Sequence, residues 1–162
     1  MQVARTLHDE HLATLGVLER LEAELARRGH DQIPDAGDQA LWRSLAEAGA
    51  LVDSELIAHF TFEEEALFPL LDEAGDAGIS TLLLDEHRTI LPIARRVAAL
   101  GDQARHGCTA GSWDELRRLG LELCERLVSH IQKEEMGLLP MVDTLLDEEQ
   151  DRALSNDYLA LR

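Results

Sequence analysis

The feature that most limits how this chain can fold is an internal repeat of imidazole and carboxylate side chains. His59-Phe-Thr-Phe-Glu63-Glu64-Glu65-Ala-Leu67-Phe-Pro69 aligns without a gap on His130-Ile-Gln-Lys-Glu134-Glu135-Met-Gly-Leu138-Leu-Pro140. Upstream of each copy, Asp9-Glu10-His11 matches Asp85-Glu86-His87. The elements therefore occur in the order A-B-A′-B′.

Residues four apart on an α-helix share a face, with Cβ atoms about 5–6 Å apart, so His59 with Glu63 and His130 with Glu134 each form a ledge of one nitrogen and one oxygen donor. A single His-x-x-x-Glu is usually a solvated pair. Two copies with the same flanks, joined by two Asp-Glu-His segments on other helices, point instead to a common centre. Burying four imidazoles and two carboxylates without a cation would be expensive.

The apolar residues supply the helices. Leu7, His11, Leu15, Leu18 and Leu25 recur at helical spacing and predict a first helix from Val3 to Arg28, with His11 on the inward stripe. The Pro- and Gly-containing stretch 29–38 lets the chain reverse. A second helix is expected from Gln39 to Glu73, bent or shortened at Pro69. A third should follow an N-cap at Ser80 and run to Arg105, bent near Pro92. A fourth, capped by Ser112, should continue until Pro140 disturbs it, with a short tail helix after it. Aromatic residues make up only 4% of the chain, whereas Ala, Leu, Glu and Arg, which lose little side-chain entropy in helices, are abundant. The expected fold is all-α: one domain over residues 1–162, an antiparallel up-down-up-down four-helix bundle with a short C-terminal tail helix.

The formal net charge of -17 would repel a phosphate backbone, so nucleic acid is not an expected partner. No segment approaches the roughly 20 apolar residues that span a bilayer, and the first residues lack the apolar core of a signal peptide, which predicts a cytoplasmic protein. Cys108 and Cys124 form no CxxC pair and support no redox role. Cys108 falls in a loop and is expected to be exposed, Cys124 to be a small buried residue.

The expected metal ligands are His11, His59, Glu63, His87, His130 and Glu134. Four imidazoles and two carboxylates are too many for one zinc site but suit two metals, with Glu63 and Glu134 bridging ions roughly 3.5–4 Å apart. A nitrogen-and-oxygen set with open positions favours iron, with zinc or manganese less suited. His11 is preferred to His8 because only His11 lies in the repeated Asp-Glu-His and on the apolar stripe. Neighbours on a helix point about 100° apart, so Glu64 and Glu135, and likewise Glu10 and Glu86, are left out of the ligand set and read as solvated, with a hydrogen bond to an imidazole as the alternative. His30 and His106 fall in connections. Phe60, Phe62, Leu15 and Leu123 are candidates for an apolar access channel, and simple core packing accounts for each.

These residues resemble the hemerythrin-like family, the HHE cation-binding domains, from about His11 to Met141. The resemblance rests on the HFxxEE form at His59 to Glu64, the HxxxEE form at His130 to Glu135 and the two Asp-Glu-His segments. It implies an antiparallel four-helix bundle holding an oxo- or hydroxo-bridged pair of iron ions on the six residues named above. Oxygen-carrying members of that family have a further histidine one turn after the third-helix ligand, where this chain has Leu91, and a longer spacing to an Asp in the fourth helix, where it has Glu134. The set is more similar to bacterial members connected with nitric oxide, peroxide or iron-sulfur repair, although the cysteine-bearing N-terminal segment of some repair proteins is missing. The expected function is to bind or consume O2, NO or H2O2, with an oxidase or oxygenase of a small organic substrate, or a sensor module, as alternatives.

Overall fold

The computed structural model describes residues 1–161 and contains five helices and no strand among them. Helix α1 is Gln2–Ala26. Helix α2 occupies residues 39–73, in which α-helical segments alternate with two wider π turns, Val52–Leu56 and Glu63–Leu67. Helix α3 is Ala77–Ala104. Helix α4 occupies residues 110–145 with a π turn at Glu134–Leu138, and α5 is Glu148–Leu161. Helices α1 and α3 each pack against both α2 and α4, so the four long helices form a closed ring.

The apolar stripes bury two separate clusters. One contains Leu18, Leu21, Leu25, Leu45, Trp113 and Leu116; the other contains Leu7, Phe62, Leu67, Leu71, Leu138 and Tyr158. Each fully buried leucine contributes roughly 1.5–3 kcal/mol relative to an exposed one. Along α1, Leu7 belongs to one cluster, Leu18 to the other, and His11 lies between them. A polar layer is thus enclosed by apolar packing above and below.

Proline explains the π turns that follow the ledges. Pro69 and Pro140 have no N–H and their rings crowd the carbonyl four residues back, which disrupts the regular ladder there. The helix widens instead, and the N–H of Phe68 reaches the carbonyl of Glu63 while that of Leu139 reaches Glu134. Both turns begin at the second residue of a His-x-x-x-Glu ledge. By contrast, Pro92 lies inside an uninterrupted α3.

Tertiary contacts close the helix ends. The N–H groups of Gln2 and Val3, which have no partner within α1, donate to the buried Asp151 carboxylate of α5 at 2.8 and 3.0 Å. At the other end Arg117 of α4 donates to the carbonyls of Leu25 and Arg28 at 3.2 and 2.6 Å. The two expected serine caps are not caps. Helix α3 begins three residues before Ser80, which is buried and hydrogen-bonds the Asp72 carboxylate across the α2–α3 turn. Helix α4 is capped by Thr109, with Ser112 as its reciprocal partner in a capping box. Cys108 is only half-buried, whereas Cys124 is buried and burial pushes its thiol up to about 12. Among the described residues no helix is long and apolar enough to cross a membrane.

Candidate metal centre

The ring of helices delivers the six residues to one place: His11 from α1, His59 and Glu63 from α2, His87 from α3, and His130 and Glu134 from α4, all buried. The imidazoles point their Nε2 atoms inward in pairs, with His11 and His59 3.2 Å apart and His87 and His130 3.1 Å apart. The carboxylates lie between the pairs. Glu63 Oε1 is 3.2 Å from His59 Nε2 and its Oε2 is 3.3 Å from His87 Nε2. Glu134 Oε2 is 3.0 Å from His11 Nε2 and its Oε1 is 2.7 Å from His130 Nε2. Two groups able to hold a cation result, His11, His59, Glu63 and Glu134 in one and Glu63, His87, His130 and Glu134 in the other. Both carboxylates belong to both groups, each turning one oxygen to either side.

The outward Nδ1 atoms bond the four carboxylates that sequence reasoning left in solvent. His11 lies 2.6 Å from Glu135, and His59, His87 and His130 each lie 2.9 Å from Glu10, Glu64 and Glu86 respectively. The pattern obeys the repeat: the Glu of each Asp-Glu-His holds the ledge histidine of the following helix, and the second Glu of each Glu-Glu pair holds an Asp-Glu-His histidine of the other half. The signal was present, since all four recur in both halves. The 100° rule excluded them from the inner face, but an imidazole spans the helix interface and brings its far nitrogen to the residue beside the ledge.

This arrangement fits a bound cation. A carboxylate can only accept, so each Nδ1 carries the proton and each neutral imidazole turns an unprotonated Nε2 inward. Two such nitrogens about 3 Å apart repel unless something positive lies between them. All four oxygens of Glu63 and Glu134 are buried with no hydrogen-bond partner, close as the imidazoles are, so the groups converge without satisfying one another. Nitrogen ligands at about 2.1 Å from a metal and at right angles would be about 3.0 Å apart, the spacing of both pairs.

Without a cation the site holds protons. Burial disfavours the charged imidazole of His87, but the nearby carboxylates of Glu134 and Glu63 and the hydrogen bond to Glu64 outweigh it and hold the group up at about 9. His11 and His59 are raised in the same way, with Glu134 the main opponent of burial for His11 and Glu63 for His59. Glu134 lies well below the usual carboxylate range because His11, His130 and His87 overcome its burial.

The two ends of the centre differ. At the His87 end Phe60 lies flat on the imidazole, with ring centroids 3.6 Å apart, and Phe68 is within 5.5 Å. Beside the other end lies a cavity of about 20 Å³ lined by both of its imidazoles, His11 and His59, and by one of the second pair, His130, together with Glu134, Thr14, Phe60 and Ile131; His87 does not reach it. Phe60 is therefore both packing and lining, while Phe62 and Leu123 are core residues and Leu15 packs at the margin. His8 is exposed and pairs with Glu135 at 2.9 Å, outside the inner set. His30 and His106 are exposed.

Comparison with curated proteins and with solved structures gave no match. The family model of the hemerythrin HHE cation binding domain matches residues 2–142, a span that contains every residue of the centre, and the chain belongs to that family.

Proposed function

We propose that the chain is a non-haem di-iron protein, a single antiparallel up-down-up-down bundle with a tail helix, that binds or consumes a small oxidant, O2, NO or H2O2. His11 and His59 would hold one iron and His87 and His130 the other, with Glu63 and Glu134 shared. When bound, the irons supply open coordination positions and redox chemistry on a nitrogen-and-oxygen ligand set. The chain's own residues orient and insulate. The Nδ1–H donations to Glu10, Glu64, Glu86 and Glu135 fix the tautomer and angle of each imidazole and strengthen it as a donor. Leu56, Phe60, Leu127 and Ile131 give the cavity an apolar wall.

One observation carries the choice of a small oxidant over an organic substrate. The cavity that meets the centre has about 20 Å³ of free space, room for one water-sized molecule. A diatomic or a peroxide is of that order, whereas ligand pockets for organic molecules occupy roughly 300–1,000 Å³. The net charge of -17 further disfavours nucleic acid as a partner, and we place the protein in the cytoplasm.

The test is the metal content of anaerobically purified protein together with its absorption spectrum before and after O2, NO and H2O2. About two irons per chain, with new bands on adding one of the three, is the expected result. Zinc alone, or no stoichiometric metal after reconstitution with ferrous iron, would sink the proposal.

A further inference from the structure

The halves repeat the ligands but not the residues beside them, and the difference falls at the cavity. Aligning Asp9-Glu10-His11 with Asp85-Glu86-His87 places Thr14 opposite Ile90, and aligning His59 with His130 places Phe60 opposite Ile131. At the His87 end this pair of positions holds Ile90, 1% exposed in the apolar core, and Phe60, stacked on the imidazole. At the His11 end the same positions hold Ile131 and Thr14, a smaller pair, and both line the cavity. The π turn at Val52–Leu56 adds to the break in symmetry. Residues 123–127, its counterpart in α4, stay α-helical, and Glu55 and Leu56 of that turn also line the cavity. Nearby, Ser54 donates to the Ala50 carbonyl at 2.6 Å, a contact that competes with the helical ladder.

Thr14 is the polar residue that this difference introduces. It is 8% exposed, three residues after His11 in the interior of α1. A helical threonine commonly bonds its hydroxyl to the carbonyl four residues back, as Thr6, Thr61, Thr89 and Thr144 do at 3.1, 2.8, 3.0 and 2.9 Å. Thr14 makes no hydrogen bond among the described residues. Its hydroxyl oxygen is not among the fully buried unpartnered atoms, so it stays accessible to a small molecule in the cavity that it lines, and the isoleucine at position 90 shows that the fold accommodates an apolar side chain at the equivalent place.

We propose that Thr14 donates a hydrogen bond to a small ligand held at the His11–His59 end, and so selects ligands whose outer atom is a good acceptor over apolar ones of the same size. The proposal rests on the reading that this centre binds iron and takes up a small molecule. Thr14 is a specificity-determining residue and not a metal ligand. Anionic diatomics and triatomics such as superoxide, peroxide and azide are the chemical class favoured, because a charged acceptor strengthens the bond.

Azide is the probe. Iron-loaded wild type, Thr14→Ser, Thr14→Val and Thr14→Ile are titrated with azide optically, and the infrared asymmetric stretch of bound azide and the iron content are recorded for each. Thr14→Ser should bind within about threefold of wild type, and Thr14→Val about tenfold more weakly with a shifted stretch. Thr14→Ile gives the His11 end the isoleucine that the other end has at the equivalent position and should exclude azide while retaining iron. Wild-type affinity and an unshifted stretch in Thr14→Val would overturn the role of Thr14 and leave the proposed function standing. Loss of iron from Thr14→Val would also overturn it, by showing that the side chain supports the ligands and not the bound molecule. Wild-type protein with both irons that bound no azide would instead count against small-molecule uptake at this centre.

Discussion

The two ends of the centre are built from the same repeated residues, yet both imidazoles of one end line the cavity and only one imidazole of the other does. At both, two imidazoles share Glu63 and Glu134, and each imidazole is held from behind by a glutamate. The differences lie just outside that set. Phe62 and Lys133 occupy equivalent positions. Lys133 reaches Glu86 directly at 2.7 Å, whereas Phe62 stacks on Tyr158, whose hydroxyl donates to Glu10. The tail helix therefore supplies to the first half what Lys133 supplies to the second. Glu135 has His8 behind it, while Glu64 is 38% exposed. The six inner residues and the four glutamates behind them follow the repeat, and the residues packed around them do not.

The most severe break of this comparison removes what the ends share. Glu134→Ala should empty both ends, taking the metal content from about two ions to near none, because one carboxylate contributes to both groups. Retention of one full ion, measured by elemental analysis, would contradict the sharing. His59→Ala and His130→Ala should each lose about one ion, since each imidazole serves one end, but His59→Ala should lose more of the response to small ligands, because both imidazoles of its end line the cavity and only one of the other end does. An equal loss of ligand response in both variants would show that the ends are not distinct.

A pH series tests both ends together. His87, held at about 9 against an ordinary 6.5, contributes stability to the metal-free protein that is fully present below pH 6.5 and lost as the pH rises through about 9. His11 and His59 are raised too and add in the same direction. The lowered Glu134 works oppositely, adding stability above its ordinary 4.5 that is lost as the pH falls. A metal must displace the imidazole protons, so its affinity should rise across this window. The melting temperature of metal-free protein should fall between pH 6.5 and 9, and the metal-loaded protein should lose less. Parallel curves would exclude the competition.

Phe60→Ile gives the His87 end the residue that the His11 end has at the equivalent position. It should cost about 1–2 kcal/mol of stability through lost stacking and packing and make room beside His87 for a second small ligand, read as a change in azide stoichiometry. A destabilised protein with unchanged stoichiometry would show that Ile90 alone keeps that end shut. Tyr158→Phe should have the smallest effect, about 1 kcal/mol in a thermal melt, with a shift in the absorption of the metal-loaded protein as Glu10 and His59 relax. An unaltered spectrum would make Tyr158 a packing residue only.

Much of the centre was legible because a repeat and helical spacing specify which side chains share a face. The span of α2 and the meeting of the six residues follow from that. The cap of α4 was misread because Thr109 and Ser112 are both good cap residues three positions apart, and the reciprocal pairing uses both. Glu10, Glu64, Glu86 and Glu135 were read as solvated because a helical wheel describes one helix at a time, and their partners lie on another.

By itself, the sequence determines the helices and the repeated histidine and glutamate positions, because spacing and hydrophobic period act locally. Only the tertiary structure decided which glutamate stands behind which imidazole, that Asp151 caps α1 from α5, and that Ile90 and Phe60 fill the space whose counterpart beside Thr14 stays open. Those outcomes depend on side chains from different helices competing for the same volume, a quantity that no single segment carries.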